Sequence, residues 1–371
     1  MLNKCKEILY LGVRKILPDE IFRLCWSWYI RNNPKYDQYR YRYGYFVSRR
    51  KGDEKYFIIR YNDKDGIFSA AFKYIYAYDW AIANGYIPIV DHENEYCYKI
   101  NNLDEDNMWE YVFEQPISVT EALKKDWVFV AEMGLGDMWR PQMCKDINGI
   151  KDDFRVHMVK EGWREYYAKV NQYISKAWNF RKELLDEFEN EYGDIFQKKN
   201  ILGIALRENF SSDIDKMSLN DNVRKVLNND HPKTIGTSEI ISLVQKYMAN
   251  HDCSHIFVST IYEESLSMFI EAFGNRVVSV ERNRQKLDSL KKNTAAWGKN
   301  IEEEYNYVKS LRTIEEKKEI SISYVKEILG LSRCDYFIAT PCSGSIAALS
   351  LNGGNYKDVY ILPDFNDAKS Y

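Results

Sequence analysis

Short apolar runs alternate with amphipathic stretches throughout the second half of the chain. The runs predict strands at 201–206, 255–259, 276–280, 336–339 and 359–362. Between them, apolar positions at helical spacing predict helices at 238–249, 263–273, 322–329 and 345–351. Alternating strands and helices indicate an open parallel sheet with helices on both faces.

The first half shows a weaker version of the same pattern. A strand at 57–61, a polar loop at 62–66, a helix at 68–84 and a strand at 86–91 form a β-loop-α-β unit, and a further strand is predicted at 127–133. The charged, helical stretch 151–198 leads into the second half. We therefore expect an α/β protein with two Rossmann-like domains facing a cleft, at residues 1–195 and 196–371.

Length, charge and cysteine content agree with this class. A chain of 371 residues suits two domains, and a net charge of −3 argues against a general nucleic-acid binder. The seven cysteines include no CxxC pair and no Cys/His cluster, which indicates reduced thiols in a cytoplasmic protein. No apolar run reaches the roughly 18 residues that span a bilayer, and the N-terminal segment is not a convincing signal peptide.

Candidate chemistry lies just after the strands, because ligands of open parallel sheets bind beyond the carboxyl ends of the strands. Arg207 follows the strand at 201–206, and Thr260 and Glu263 follow the strand at 255–259. A guanidinium group at a strand end can hold a phosphate through two parallel hydrogen bonds. A structural ion pair with Asp or Glu is the alternative.

A small, hydroxyl-rich stretch follows the strand at 336–339 and opens a helix. It contains Thr340 and the run Ser343, Gly344 and Ser345. Backbone N–H groups at a helix start bind anions, helped by the helix dipole, although an ordinary Ser N-cap would give the same pattern. Arg207 and this helix start on one sheet edge together predict a diphosphate site.

Four segments resemble one family. They are GIFSAAFKYIYAYDWAIANGYIPIVD in the first half, ILGIALRENF, the His231-Pro232 pair followed by IFVSTIYEE, and CDYFIATPCSGSIAALSLNGGNYKDVY. Over roughly residues 55–365, the chain resembles the fucosyltransferase superfamily, which includes α-1,6-fucosyltransferases, protein O-fucosyltransferases and bacterial glycosyltransferases of surface-polysaccharide loci. The family has the GT-B fold.

The resemblance implies an inverting, metal-independent sugar transfer in surface-polysaccharide synthesis, with no cofactor besides the donor. The donor would be a nucleoside diphosphate sugar, with GDP-fucose the first choice, and the acceptor a glycan or a lipid-linked oligosaccharide. The chain departs from the family at Ala205, where many members carry His, and at Ile261 and Tyr262, which replace an acidic pair. These departures leave the donor base and sugar open, whereas Arg207 is retained for the diphosphate.

The remaining site residues are assigned with alternatives. Glu208 and Asp213, close to Arg207, are the candidates for the catalytic base, and Asp213 also belongs to a DxD pattern that binds metal in another transferase class. We expect no metal here. Gly66 precedes the first long helix, where family members approach the donor; a plain tight turn is the alternative. Trp109 and Trp139 could line an acceptor site, although buried Trp is the commoner role.

Two other classes of function stay open. The substitutions at Ile261 and Tyr262 allow a sugar- or nucleotide-binding protein without catalysis. The Tyr- and Arg-rich segment 35–49 would suit single-stranded nucleic acid, but the acidic chain argues against such a partner. Residues 1–33 combine an apolar stripe with six Lys or Arg residues, which allows weak contact with the inner membrane face. Their aromatic residues equally suit packing on the first domain.

Overall fold

Two compact units, each built around its own sheet, make up the described part of the chain. The computed structural model describes residues 45–46, 52–61, 66–92, 107–133, 158, 161–206, 237–284 and 313–362. Of these, the first unit contains 45–66, 70–110 and 114–133 as far as they are described, and the second contains 67–69, 111–113 and the residues from 158 onward.

The first unit has a four-stranded sheet of order β1-β4-β2-β3. Strand β2 (Tyr56–Tyr61) pairs in parallel with both β3 (Ile87–His92) and β4 (Val128–Met133), while the short β1 (Tyr45–Phe46) pairs antiparallel with β4. Helix α1 (Ile67–Ala83) connects β2 to β3, as the β-loop-α-β pattern predicts. Two short helices follow, α2 (Met108–Val112) and α3 (Val119–Ala122).

Apolar side chains cover both faces of this sheet. Ile58, Ile89 and Val130 form one cluster with residues of α3. On the other face, Phe57 stacks on Phe129, with ring centroids 5.4 Å apart, and contacts Trp80 of α1. Burial on both faces explains why the strands read as continuous apolar runs rather than as alternating patterns.

The second unit has a five-stranded, fully parallel sheet of order β7-β6-β5-β8-β9. The strands are β5 (Ile201–Leu206), β6 (His255–Thr260), β7 (Val277–Val278), β8 (Tyr336–Ala339) and β9 (Asp358–Ile361). From the central β5, strands β6 and β7 follow in chain order toward one edge of the sheet. Strands β8 and β9 follow in chain order toward the other edge. The strand order therefore reverses between β5 and β8, which is the topological switch point of a doubly wound sheet.

Six helices accompany this sheet among the described residues, together with two short 3₁₀ turns at 193–197 and 274–276. They are α4 (Trp163–Ala177), α5 (Lys182–Tyr192), α6 (Thr237–His251), α7 (Glu263–Phe273), α8 (Ile314–Ser332) and α9 (Ser343–Asn352). The alternation predicted from the sequence is confirmed. Several lengths differ: α8 is much longer than the predicted 322–329, α6 and α9 are longer than the predicted 238–249 and 345–351, and β7 is shorter than the predicted 276–280.

The helices α4 and α5 belong to the second unit, whereas the sequence placed residues up to 195 in the first domain. Their contacts give the physical reason. Arg164 of α4 donates hydrogen bonds to the backbone carbonyls of Gly354, Tyr356 and Lys357. Lys326 of α8 donates to a carboxylate oxygen of Glu191 in α5, at 2.8 Å.

Among the residues that the structure describes, no helix has the length and apolar character needed to cross a bilayer. The segment 1–33, for which we expect membrane contact or packing on the first domain, lies outside the described residues.

The start of α8 provides a test of local stability. Thr313 accepts a hydrogen bond from the Glu316 backbone N–H through its hydroxyl, and Glu316 accepts one from the Thr313 backbone N–H, which together form a capping box. We expect Thr313→Ala to lower the free energy of unfolding by about 1 kcal/mol. Thr313→Ser, which keeps the hydroxyl, should stay close to the wild type in denaturant unfolding. An equal loss in both variants would contradict this role of the hydroxyl.

Candidate functional site

The carboxyl ends of β5, β6 and β8 meet at one edge of the second sheet. Leu206, the last residue of β5, is in register with Thr260 of β6, and Ala205 is in register with Ala339 of β8. The Thr340 backbone N–H donates to the Ala205 carbonyl at 2.9 Å. The carboxyl ends of β5 and β8 are thus brought together at the switch point.

The N-terminus of α9 is open in the sense that no side chain caps it. Cys342 is the N-cap residue and makes no side-chain capping hydrogen bond, so the ordinary Ser N-cap considered from the sequence is wrong. The first backbone N–H groups of a helix have no partner within the helix. Those of Ser343, Gly344 and Ser345 therefore point away from the helix body, the geometry that binds anions. The Ser345 hydroxyl is buried and lies 3.3 Å from Cys342 Sγ.

Packing against α8 explains why position 344 is glycine. A Cβ atom placed on Gly344 would clash with the Tyr324 hydroxyl and would lie 3.2 Å from Ile328 Cδ1. Both contacts come from α8, on which the first turn of α9 rests. Glycine is therefore required here for close approach of two helices, independently of any ligand.

The side chains of Thr260 and Glu263 differ in solvent exposure. Thr260 is buried, and its hydroxyl oxygen accepts a hydrogen bond from the Tyr262 backbone N–H at 3.3 Å. Glu263 is exposed in the first turn of α7. Of these two predicted donor contacts, Glu263 has the accessible side chain, whereas Thr260 shapes the turn between β6 and α7.

A buried ionic cluster, which we call the Glu327 cluster, lies beside the end of β6 and comprises Ser259, Arg282, Arg284 and Glu327. The Glu327 carboxylate accepts hydrogen bonds from the Ser259 hydroxyl at 2.8 Å, from Arg282 Nη1 at 2.8 Å and from Arg284 Nη2 at 3.3 Å. The side chain of Glu327 is 1% exposed. Burial raises the pKa of Glu327, and the two guanidinium groups and the Ser259 hydroxyl oppose this shift.

The sequence interpretation missed this cluster. One signal was present: Glu327 follows Lys326 in α8, and this charged pair is flanked by the buried apolar residues Val325 and Ile328. A charged residue at such a position needs a partner, because an unpaired buried charge is costly. The Arg-x-Arg spacing at 282 and 284, shortly after a strand, was the matching signal.

In the first unit, a group of hydrogen-bonded polar side chains lies at the carboxyl ends of β2 and β3. The sequence analysis did not predict this group either. Arg60 Nε donates to Asp91 Oδ2 at 2.7 Å, and the Tyr74 hydroxyl is hydrogen-bonded to His92 Nδ1. Burial raises the pKa of Asp91, and the Arg60 guanidinium opposes this shift. Trp109 is 2% exposed and lies edge-on to the Tyr74 ring. Its position fits the core role and does not present its ring to an acceptor.

Gly66 is the N-cap residue of α1. It is exposed, with φ −67° and ψ 161°, and a Cβ atom placed on it would meet no atom within 4 Å. Neither a left-handed turn nor local packing therefore requires glycine at this position. The plain tight turn considered from the sequence does not explain it, and its role at a donor site stays a prediction.

Several predicted site residues lie outside the described residues. They are Arg207, Glu208, Asp213 and the acceptor candidate Trp139, and the His231-Pro232 pair also lies there. Within the described ranges, no group of three or more His, Cys, Asp or Glu side chains could hold a metal ion. The DxD pattern at 213–215 falls outside these ranges.

Comparison with known proteins gives matches in structure alone. No protein-family model matches the chain, and no curated protein matches it. The structure is similar to that of NodZ α-1,6-fucosyltransferase soaked with GDP-fucose, with 14% identity and a TM-score of 0.43 over 80% of this chain and 92% of that one. POFUT1 in its apo form matches with 10% identity and a TM-score of 0.40, over 84% of this chain and 99% of that one.

A third similar structure is FUT1 of Arabidopsis thaliana in complex with GDP, with 9% identity and a TM-score of 0.40 over 85% of this chain and 72% of that one. At this identity and TM-score, the three structures assign no activity and no site residue to this chain.

The Glu327 cluster predicts a large effect of neutralising one carboxylate. We expect Glu327→Gln to lower the free energy of unfolding by about 3 kcal/mol, because it leaves two largely buried guanidinium groups without an anionic partner. Glu319→Gln, on the exposed face of the same helix, should change it by less than about 0.5 kcal/mol. Urea unfolding followed by circular dichroism compares the two. Similar stabilities would show that the ion pairs contribute little.

The two glycines at helix starts should respond differently to alanine. Gly344→Ala must displace Tyr324 or α9, so we expect a loss of about 1–3 kcal/mol in the free energy of unfolding. Gly66→Ala meets open space and should cost less than about 1 kcal/mol, mainly as a poorer N-cap. Thermal and urea unfolding test both. A larger loss for Gly66→Ala than for Gly344→Ala would contradict the packing described here.

Proposed function

We propose that the chain is an inverting, metal-independent glycosyltransferase that moves a sugar from a nucleoside diphosphate sugar to a glycan acceptor. The observation that carries the proposal is the switch point between β5 and β8. Arg207 follows β5 directly in sequence, and three residues separate Ala339, the end of β8, from Ser343, the first residue of α9. A crevice at such a reversal of strand order is the usual ligand position in doubly wound sheets.

The chemistry of this edge suits a leaving diphosphate. When an acceptor hydroxyl attacks the anomeric carbon, the bond to the diphosphate breaks and negative charge builds on its oxygens. Preorganised N–H donors stabilise that charge, and losing one such donor typically costs about 3 kcal/mol in the barrier. The backbone N–H groups of Ser343, Gly344 and Ser345 would supply part of this stabilisation, and the Arg207 guanidinium would supply a charge-assisted pair of hydrogen bonds.

The acceptor hydroxyl must lose its proton during the attack. Glu208 and Asp213 stay our candidates for the base, because both follow Arg207 closely in sequence. Gly66 and Glu263 stay proposed donor contacts, and Trp139 a proposed acceptor contact. Resemblance of the sequence motifs favours GDP-fucose as donor and a glycan or lipid-linked oligosaccharide of surface-polysaccharide synthesis as acceptor, at the cytoplasmic face of the membrane.

A non-catalytic nucleotide-sugar-binding protein is the second candidate. Tyr262, in the place of a family acidic residue, is buried and caps α7 without a side-chain capping hydrogen bond. An acidic side chain that would bind the nucleoside is thus replaced by one that packs inward. This candidate differs from the enzyme by binding the donor without transfer or hydrolysis.

The proposal is tested with the full-length chain and a panel of GDP, UDP, CDP and dTDP sugars. A donor present at about 100 times its dissociation constant should stabilise the fold by about 2.7 kcal/mol in a thermal-shift measurement. We expect Arg207→Ala to lower transfer or donor hydrolysis about 100-fold and to reduce this stabilisation. Arg276→Ala, at the amino end of β7, is the matched control and should behave as the wild type.

The outcomes separate the candidates. Stabilisation by a donor without turnover favours the binding protein, and stabilisation by a non-guanosine donor alone removes GDP-fucose while leaving the transferase. If a folded Arg207→Ala variant keeps wild-type turnover and donor binding, the diphosphate site proposed for this edge is incorrect.

A further inference from the structure

The Glu327 cluster holds two guanidinium groups against one buried carboxylate. The Arg284 side chain is 5% exposed and that of Arg282 is 13% exposed. Arg284 donates through Nη2 to Glu327 and to the Val280 carbonyl, yet its Nε is buried without a hydrogen-bond partner among the described residues. The cluster therefore has more buried donor capacity than the acceptors around it use.

Charge gives a second reason to regard the cluster as incomplete. An arginine cannot relieve burial by losing its proton, since its pKa stays far above neutral pH. Burial nevertheless lowers the pKa of Arg284, and the neighbouring Arg282 adds to this effect. The Glu327 carboxylate opposes the shift most strongly but is shared with Arg282, and Glu263, which also opposes it, is exposed on α7, where water screens its charge. An additional anion would compensate the second guanidinium group.

The cluster and the start of α9 contact neighbouring residues of α8. Tyr324 and Ile328 of α8 are the side chains against which Gly344 packs. Glu327 is three residues from the first and next to the second, within one helical turn of about 5.4 Å. Ser259 joins the cluster from the carboxyl end of β6. Both cationic groups are thus tied to the sheet edge at which the open helix N-terminus lies.

We propose that Arg282 and Arg284 form a second contact for phosphate oxygens of the donor, on the β6 side of the switch point. This inference rests on the proposed function, because it names a further part of the same donor site. Arg282, the more exposed of the two, contacts the phosphate, and Arg284 adds charge behind it. Glu327 and Ser259 are positioning residues that hold the two guanidinium groups in place.

The test measures binding of inorganic pyrophosphate and of GDP to the full-length chain by titration calorimetry. We expect Arg282→Met, which keeps the apolar stem and removes the charge, to weaken binding of both probes about 10-fold or more, as for a lost charge-assisted hydrogen bond. Arg276→Met is the matched control. It removes an exposed arginine from the opposite, amino end of β7 and should bind both probes as the wild type does.

Each outcome decides the inference. If Arg282→Met and Arg276→Met bind pyrophosphate and GDP as tightly as the wild type, the second contact is wrong while the transferase proposal stands. If the wild type binds neither probe, the inference fails, while the panel of donor sugars still decides the transferase proposal.

A second variant keeps the inference testable if Arg282→Met does not fold. If near-ultraviolet circular dichroism shows that Arg282→Met has lost its native packing, Arg282→Lys decides instead. Lys keeps the charge beside Glu327 but lacks the two-pronged geometry of Arg. We expect it to bind pyrophosphate several-fold more weakly than the wild type, and unchanged binding would overturn the inference.

Discussion

Parallel pairing of β5 with strands on both sides is the constraint on which the second unit depends. Because β6 and β8 both run parallel to β5, all three carboxyl ends lie at one edge. Each connection between them must then return across a face of the sheet, which explains the helices that alternate with the strands. The open helix start, the turn at Thr260 and the Glu327 cluster are all consequences of this single arrangement.

The sequence predicted the bounds of a strand or helix correctly where the apolar pattern alone marks its two ends. β5 and β8 match their predicted bounds because their apolar runs contain no polar residue, and α7 matches because its apolar positions keep helical spacing up to Phe273. The length of α8 was underestimated because buried Lys317 and Ser321 interrupt its apolar pattern. Such residues suggest a loop until the tertiary contacts that accommodate them are known. β7 was overestimated because apolar residues continue past Val278 without continuing the strand pairing.

The candidate site was predictable only in part, for a related reason. The position of residues that follow strands can be predicted from the sequence. The topology of a parallel sheet alone brings Thr340 and the start of α9 to the carboxyl edge of the second sheet. The Glu327 cluster depends on contacts between residues 43 to 68 positions apart, and no local pattern specifies which buried carboxylate meets which arginine. Gly344 shows a further limit: its spacing suits a ligand, whereas its contacts show that α8 already requires glycine there.

The attachment of α4 to the second sheet has a practical consequence for dissecting the protein. Arg164 holds carbonyl groups of the segment between α9 and β9, and Asn171 donates to the Ser350 and Leu351 carbonyls at the end of α9. A fragment cut between 195 and 196 would leave these carbonyls without those donors and would uncover the α9 face that α4 protects. The smallest independently expressed piece that keeps the second sheet intact should therefore begin before Gly162, the residue that caps α4.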